Sequence, residues 1–150
     1  MRWKVAELAA FTARRSGETK RGHVKLTELR SHIAIAEHLR TRARPGVVWW
    51  HTPNGELRNK ATAAKLKAMG VKPGVPDITL LIDGRFFGLE IKSLEGRLSS
   101  EQRATHAELE RAGAFMAVAH SIDGALAILT AWGAITPDAN ANNERGSANG

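Results

Sequence analysis

The chain has 150 residues, a length typical of one domain, and a formal net charge of +7 from 22 Lys and Arg against 15 Asp and Glu. It contains no cysteine and no tyrosine, which excludes disulfides, thiolate metal sites, iron–sulfur clusters and tyrosine chemistry. No apolar run approaches the ~20 residues that span a bilayer, and the N-terminus lacks the apolar core of a signal peptide. We therefore expect a soluble protein that is not secreted, and a basic balance of this kind favours a polyanionic partner, most often nucleic acid.

The excess positive charge lies at the N-terminal end. Residues 1–44 hold eleven Lys and Arg against four Asp and Glu, whereas residues 45–150 hold eleven of each. Residues 1–25 are interpreted as a basic arm or short helix that contacts the phosphates of a polyanionic partner, or equally as a solvated leader. The basic residues that would make these contacts are Arg14, Arg15, Lys20, Arg21 and Lys25.

Hydrophobic periodicity predicts eight elements. The first is a helix from about Thr27, its N-cap, to about Arg42, before the turn at Pro45. The others are strands near residues 47–51, 78–82, 86–91 and 114–119, and helices near residues 59–69, 99–112 and 121–132. This order predicts one α/β domain over residues 26–133 with a mixed sheet and an antiparallel hairpin. Residues 134–150, rich in Asn, Ala and Gly, are expected to form a disordered tail.

The hairpin predicts which residues face each other across the sheet. Asp83-Gly84 between two apolar runs is typical of a two-residue loop, which places Ile82 opposite Arg85. The same register places Asp77 opposite Glu90 on neighbouring strands, with Cβ atoms roughly 5 Å apart. A loop of another length would change this pairing.

Lys92 lies on the same face as Glu90, because side chains alternate along a strand. Opposed carboxylates repel each other unless a proton or a cation lies between them. Two acids and a lysine in one patch therefore favour a Mg²⁺ or Mn²⁺ site, since these ions take one or two carboxylates and complete their shell with water and phosphate. The alternative is that Asp77 only starts a strand, while Glu90 and Lys92 lie on a solvent-exposed face.

A family resemblance rests on these residues. Gly74-Val75-Pro76-Asp77 followed by Glu90-Ile91-Lys92 resembles the PD-(D/E)XK nuclease signature. Together with residues 69–73 and the downstream stretch Gly96-Arg97-Leu98-Ser99-Ser100-Glu101-Gln102, the segment 26–133 resembles a virus-type replication–repair nuclease (VRR-NUC) domain. The resemblance implies a restriction-endonuclease-like fold. It also implies that Asp77, Glu90 and the Ile91 carbonyl bind the metal, and that Lys92 is catalytic.

The resemblance implies three further site residues. Such domains usually carry an acid on the first core helix; by position this is Glu28, which would complete the metal site, and Glu37 is the competitor on another side of the helix. Gln102 matches a family glutamine that contacts DNA or the site, or else it is an exposed polar residue. His51, in a stretch similar to the family's aromatic-His-x-Pro-Asn-Gly, is assigned near the DNA, although a strand-end histidine is more often structural.

The predicted function is that of a metal-dependent DNA endonuclease. The resemblance implies selectivity for branched DNA, such as four-way junctions or flaps, in the replication, recombination or repair of a virus or bacterium, and a cytoplasmic location. Symmetric cleavage of a junction would require a homodimer. We expect DNA as the partner, no membrane and no small-molecule cofactor. One alternative is a non-catalytic DNA-binding module that keeps the fold; another is an RNA-binding protein, which leaves the acid pair unexplained.

Overall fold

The computed structural model of the chain describes residues 20–53 and 60–137, with side chains from residue 27 onward. The element order is the predicted one. Helices α1 (Lys20–Arg42), α2 (Lys60–Ala68), α3 (Ser100–Arg111) and α4 (Ile122–Ala131) alternate with strands β1 (Val48–His51), β2 (Ile78–Ile82), β3 (Arg85–Ile91) and β4 (Phe115–Ala119). No helix of these described residues is long and apolar enough to cross a membrane.

The four strands form one mixed sheet in the order β1-β2-β3-β4. β1 and β3 pair with β2 in antiparallel fashion, and β4 joins β3 in parallel after the α3 crossover. The hairpin register is the predicted one, with Ile82 opposite Arg85 and Ile78 opposite Leu89. Asp83 and Gly84 both have positive φ, 48° and 74°, as the two central residues of a type I′ turn require.

The core lies on one face of the sheet, where β2 and β3 present an almost continuous apolar surface to α1 and α4. Leu80 and Leu89 are fully buried there against Ile35 of α1 and Leu129 of α4. Glu90 points to the opposite face, which α3 covers, because side chains alternate along β3. The site is therefore built where α3 and the ends of β2 and β3 meet.

Both predicted domain ends are corrected by the structure. α1 begins at Lys20, seven residues before the expected cap at Thr27, because no proline interrupts residues 20–42 and their single glycine costs a helix only about 1 kcal/mol. Lys20, Arg21 and Lys25 therefore lie on α1, which agrees with the helical alternative for this part of residues 1–25. At the other end, Ala134 and Ile135 are buried, and Ile135 bridges to Ala43, so the ordered domain extends past residue 133.

Candidate active site

Asp77 lies immediately before β2, beside the end of β3. Its carboxylate oxygen Oδ2 accepts a hydrogen bond of 2.8 Å from the backbone N–H of Ile91. Its backbone oxygen accepts bonds of 2.9 Å from the N–H of Thr52 and from Nδ1 of His51 at the end of β1. Because β2 is antiparallel to both neighbours, its first residues meet the last residues of β1 and β3, and Asp77 is held there by both strands.

Glu90 is the most deeply buried acid of the site, with 1% of the residue exposed. Its Oε1 lies 2.8 Å from Nζ of Lys92 and also accepts a hydrogen bond from the side-chain amide of Gln102. Its Oε2 is buried and has no hydrogen-bond partner among the described residues. A buried oxygen without a partner is costly, so this atom marks a place for a further ligand.

The environment of Glu90 favours its neutral form while no cation is bound. Burial, and then the nearby carboxylate of Asp77, raise the pKa of Glu90 from its ordinary value of 4.5 to about 7, although Lys92 opposes this shift. Pairs of carboxylates that repel each other in a poorly solvated place are frequent in functional sites. A bound substrate or metal there changes which of the two groups carries a proton.

The N-terminal cap of helix α3 orients the side-chain amide of Gln102. Ser99 is the N-cap: its Oγ accepts from the backbone N–H of Gln102 at 3.1 Å, and the Gln102 side-chain oxygen accepts from the Ser99 N–H at 2.9 Å. The amide nitrogen is left to donate to Glu90. The sequence-predicted Gln102 thus contacts Glu90 directly and is not merely an exposed residue of the first turn.

The loop before Asp77 is fitted closely to α3. A Cβ atom on Gly74 would lie 2.6 Å from the backbone oxygen of Glu101, and the hydroxyl of Thr105 donates to the Pro73 oxygen at 2.8 Å. These contacts fix the start of the loop that carries Asp77 relative to the helix that carries Gln102.

Glu28, and not Glu37, reaches the site from α1. Its Oε1 accepts a 3.0 Å hydrogen bond from the backbone N–H of Ser93, the residue after Lys92. Glu37 instead forms an exposed ion pair of 3.3 Å with Arg40. Of the two candidate helix acids, the structure therefore places Glu28 beside the end of β3.

Two histidines that the sequence analysis did not assign to the site lie near the acids. His32 packs its ring edge against His51, with centroids 4.4 Å apart, and its Nε2 is buried without a partner among the described residues. Burial lowers the pKa of His32, and Asp77 opposes this shift. His106 brings Nε2 to 3.9 Å from Oε2 of Glu90.

A simple spacing could have found both histidines. His32 follows Glu28 by four residues on α1, and His106 follows Gln102 by four residues on α3. Residues at i and i+4 share one face of a helix, so a histidine at this distance from a site residue points the same way.

The donor set fits a hard divalent cation. Among the residues whose positions are described, no group of three or more His, Cys, Asp and Glu is arranged to hold a metal ion. Asp77 and Glu90 are two adjacent carboxylates, and one oxygen of Glu90 lacks a partner. Mg²⁺ is commonly bound through one or two carboxylates, with water and substrate phosphate filling the remaining positions.

Of the other predicted DNA contacts, the structure describes the side chain of His51 alone. Arg14 and Arg15 lie outside the described residues, and for Lys20, Arg21 and Lys25 only the helical backbone of α1 is given. His51 is exposed and tied to Asp77 by its hydrogen bond to the backbone.

Comparison with known proteins identifies the domain. The model of the VRR-NUC domain family matches residues 26–123. The chain belongs to the VRR-NUC family. A solved structure of a VRR-NUC domain protein is similar to it with a TM-score of 0.55 and 24% identity, over 69% of this chain and 85% of that one. A second, a VRR-NUC domain, has a TM-score of 0.49 and 17% identity, over 69% and 95% of the two chains. No curated protein matches the chain.

The VRR-NUC family is one of nucleases, and its members share the α/β, restriction-endonuclease-like fold found here. The matched segment includes the five predicted residues Glu28, Asp77, Glu90, Lys92 and Gln102.

Proposed function

We propose that this VRR-NUC domain is a divalent-metal-dependent endonuclease that hydrolyses DNA phosphodiester bonds. The observation that carries the proposal is the juxtaposition of Asp77 and Glu90 at the adjoining ends of β2 and β3. The ammonium group of Lys92 contacts the carboxylate of Glu90. An acid pair with one ammonium group, in which Glu90 is buried and Asp77 partly exposed, is the arrangement that a metal-assisted phosphodiesterase needs. As a purely structural feature it would leave a buried oxygen unpaired.

The metal-binding groups are Asp77, Glu90 and the backbone carbonyl of Ile91, with Glu28 as a further ligand or the holder of a second ion. When bound there, Mg²⁺ or Mn²⁺ supplies Lewis-acid polarisation of the scissile phosphate and a lowered pKa for a coordinated water. The hydrogen bond from Ile91 N–H holds one oxygen of Asp77, and Gln102 orients Glu90.

Lys92 is the group that acts on the reacting atoms. Its ammonium lies 2.8 Å from Glu90 Oε1, and its side chain is 17% exposed, so it is held at the site and still reaches solvent. There it orients the attacking water and stabilises the charge that develops on the phosphate in the transition state.

The acid pair also accounts for a dependence of DNA cleavage on metal. The carboxylate of Asp77 repels a phosphodiester, and a divalent cation bound at the acid pair would reverse the sign of the local field. DNA affinity without metal then comes from basic surfaces elsewhere, including the N-terminal residues Arg14, Arg15, Lys20, Arg21 and Lys25.

The substrate we propose is branched DNA, such as a four-way junction or a flap, processed in replication, recombination or repair. The family resemblance supports this choice. Symmetric cleavage of a junction requires two active sites and hence a homodimer. Val48, Trp50 and Leu81 are exposed side by side near the β1 edge of the sheet, and these apolar side chains offer a surface for a second copy.

The test is a cleavage assay on labelled single-stranded, duplex, flap and four-way DNA with Mg²⁺ or Mn²⁺, run beside a measurement of the mass in solution. Asp77→Asn and Lys92→Met are expected to abolish cleavage while the thermal unfolding midpoint stays close to that of the wild type. Asp83→Asn is the matched control, because it removes a carboxylate from the opposite end of the same hairpin. Full activity in EDTA, or in Asp77→Asn, would refute the proposal.

A non-catalytic DNA-binding module is the second candidate. One observation favours it: among the described residues, no group of three or more His, Cys, Asp and Glu is arranged to hold a metal ion. Metal-independent DNA binding with no cleavage of any of the four substrates would select this function.

A further inference from the structure

Helix α2 (Lys60–Ala68) stands apart from the core. None of its residues is buried, and only Leu66 is half-buried. Its sequence consists of lysines, alanines, one threonine and one leucine. A surface helix is usually stabilised by an apolar face that packs on the core. Because α2 buries so little, its exposed surface is a candidate for binding another molecule.

The charge around α2 has one sign. Between Glu56 and Asp77 the chain has five Lys and Arg and no Asp or Glu. Among the described residues, the lysines in ion pairs are Lys72, 2.7 Å from Glu108, and Lys92, 2.8 Å from Glu90. Within the part of the chain that the structure describes, the three lysines of α2 have no carboxylate partner of this kind, and all three are exposed to solvent.

The three lysines share the outward side of the helix. At 100° per residue, Lys60, Lys65 and Lys67 fall within an arc of about 160° whose centre lies opposite Leu66. Lys60 and Lys67 are almost in line and about 10 Å apart along the axis. The remaining residues on this arc are Ala61, Ala64 and Ala68, whose small side chains let a large ligand approach the lysines closely.

In the sequence, α2 lies between two segments that reach the site. On one side, β1 ends at His51, which is hydrogen-bonded to Asp77. On the other side, Val71 N–H donates to the Leu66 oxygen to close the helix, and residues 72–74 then run along α3 to Asp77. The segment that follows the helix therefore packs on α3 and leads directly into the loop that carries Asp77.

We propose that the outward lysine and alanine face of α2 binds the phosphate backbone of DNA beside the scissile bond. A regular row of phosphates is the partner that fits several unpaired lysines along one small-residue surface, and such contacts are independent of base sequence. A lipid surface is disfavoured, because this face has no bulky apolar side chain to insert into a membrane. The proposal rests on DNA being the substrate, as argued above.

The experiment compares two double variants by their salt-dependent affinity for duplex DNA in EDTA, where the proposed nuclease does not cut. Lys60→Gln/Lys67→Gln is expected to reduce the magnitude of the negative slope of log K against log salt by about 2, at roughly 0.9 for each lost phosphate contact. It is also expected to weaken binding at least 10-fold at ~0.1 M salt. Glutamine is a good helix former, so α2 is retained, as circular dichroism checks.

Arg85→Gln/Arg111→Gln is the matched control, because it removes the same charge from exposed positions at the far ends of β3 and α3. Equal slopes for the lysine double variant and the wild type, or an equal loss in the control, would overturn the proposal. A wild type that binds through α2 but never cuts supports the surface and refutes the endonuclease. A wild type that cuts with no role for α2 does the reverse. A wild type that does not bind DNA refutes both.

Discussion

The side-chain amide of Gln102 donates to the carboxylate of Glu90, while its oxygen closes the capping box of α3 with Ser99. One side chain thus links the start of a helix to the most buried acid of the site. The link makes the orientation of Glu90 depend on a helix cap, which is a local feature of the chain.

Gln102→Glu tests this link. Glutamate keeps the capping box but replaces the donor with a second carboxylate, so we expect a loss of about 1–3 kcal/mol in the free energy of unfolding at pH 8. The loss should shrink at pH 5, where the raised pKa of Glu90 keeps that group neutral. Ser99→Ala is the control: loss of the cap alone costs about 1 kcal/mol, with little dependence on pH. Equal losses at both pH values for Gln102→Glu would contradict this account.

The raised pKa of Glu90 makes the stability of the metal-free protein depend on pH. Between 4.5, its ordinary pKa, and about 7, its pKa in the folded protein, the folded state binds more protons than the unfolded state. The stabilising contribution is therefore complete below about pH 4.5 and is lost as the pH rises through about 7. Urea unfolding in EDTA should show this decline in the wild type, and Glu90→Gln should flatten it. An unchanged profile in Glu90→Gln would assign the decline to another group.

The close approach of Gly74 to α3 predicts an unequal pair of glycine substitutions. Gly74 and Gly84 both have φ of 74°, so alanine is strained equally at the two positions. At Gly84 nothing lies within 4 Å of the added Cβ, whereas at Gly74 backbone atoms of Glu101 and Gln102 lie at 2.6–2.8 Å. We expect Gly84→Ala to cost about 1 kcal/mol and Gly74→Ala about 3 kcal/mol or more. Chemical denaturation measures both; equal costs would show that the loop yields easily.

Glu28 and Glu37 form a second matched pair, on one helix. Because Glu28 bonds to Ser93 beside the site, Glu28→Gln should weaken Mn²⁺ binding about 10–100-fold, as measured by calorimetry. Glu37→Gln removes only an exposed ion pair with Arg40 and should leave the metal affinity unchanged and the stability within about 1 kcal/mol. The reverse ranking would move the helix acid of the site to Glu37.

The sequence by itself determined the element order, the hairpin and its register. A two-residue Asp83-Gly84 turn permits one pairing of the strands, and strand alternation then assigns every side chain to a face. Asp77, Glu90 and Lys92 follow from that local chemistry. The motif around them was sufficient to place the chain in its family.

Only the tertiary structure decided which distant residues join them. Glu28 meets Ser93 across 65 positions of sequence, and its choice over Glu37 depends on how α1 lies on the sheet. His106 reaches Glu90, and Ile135 enters the core, for the same reason. Local periodicity states which face of a helix is apolar, but the angle and position at which that face packs are set by the summed burial of many side chains.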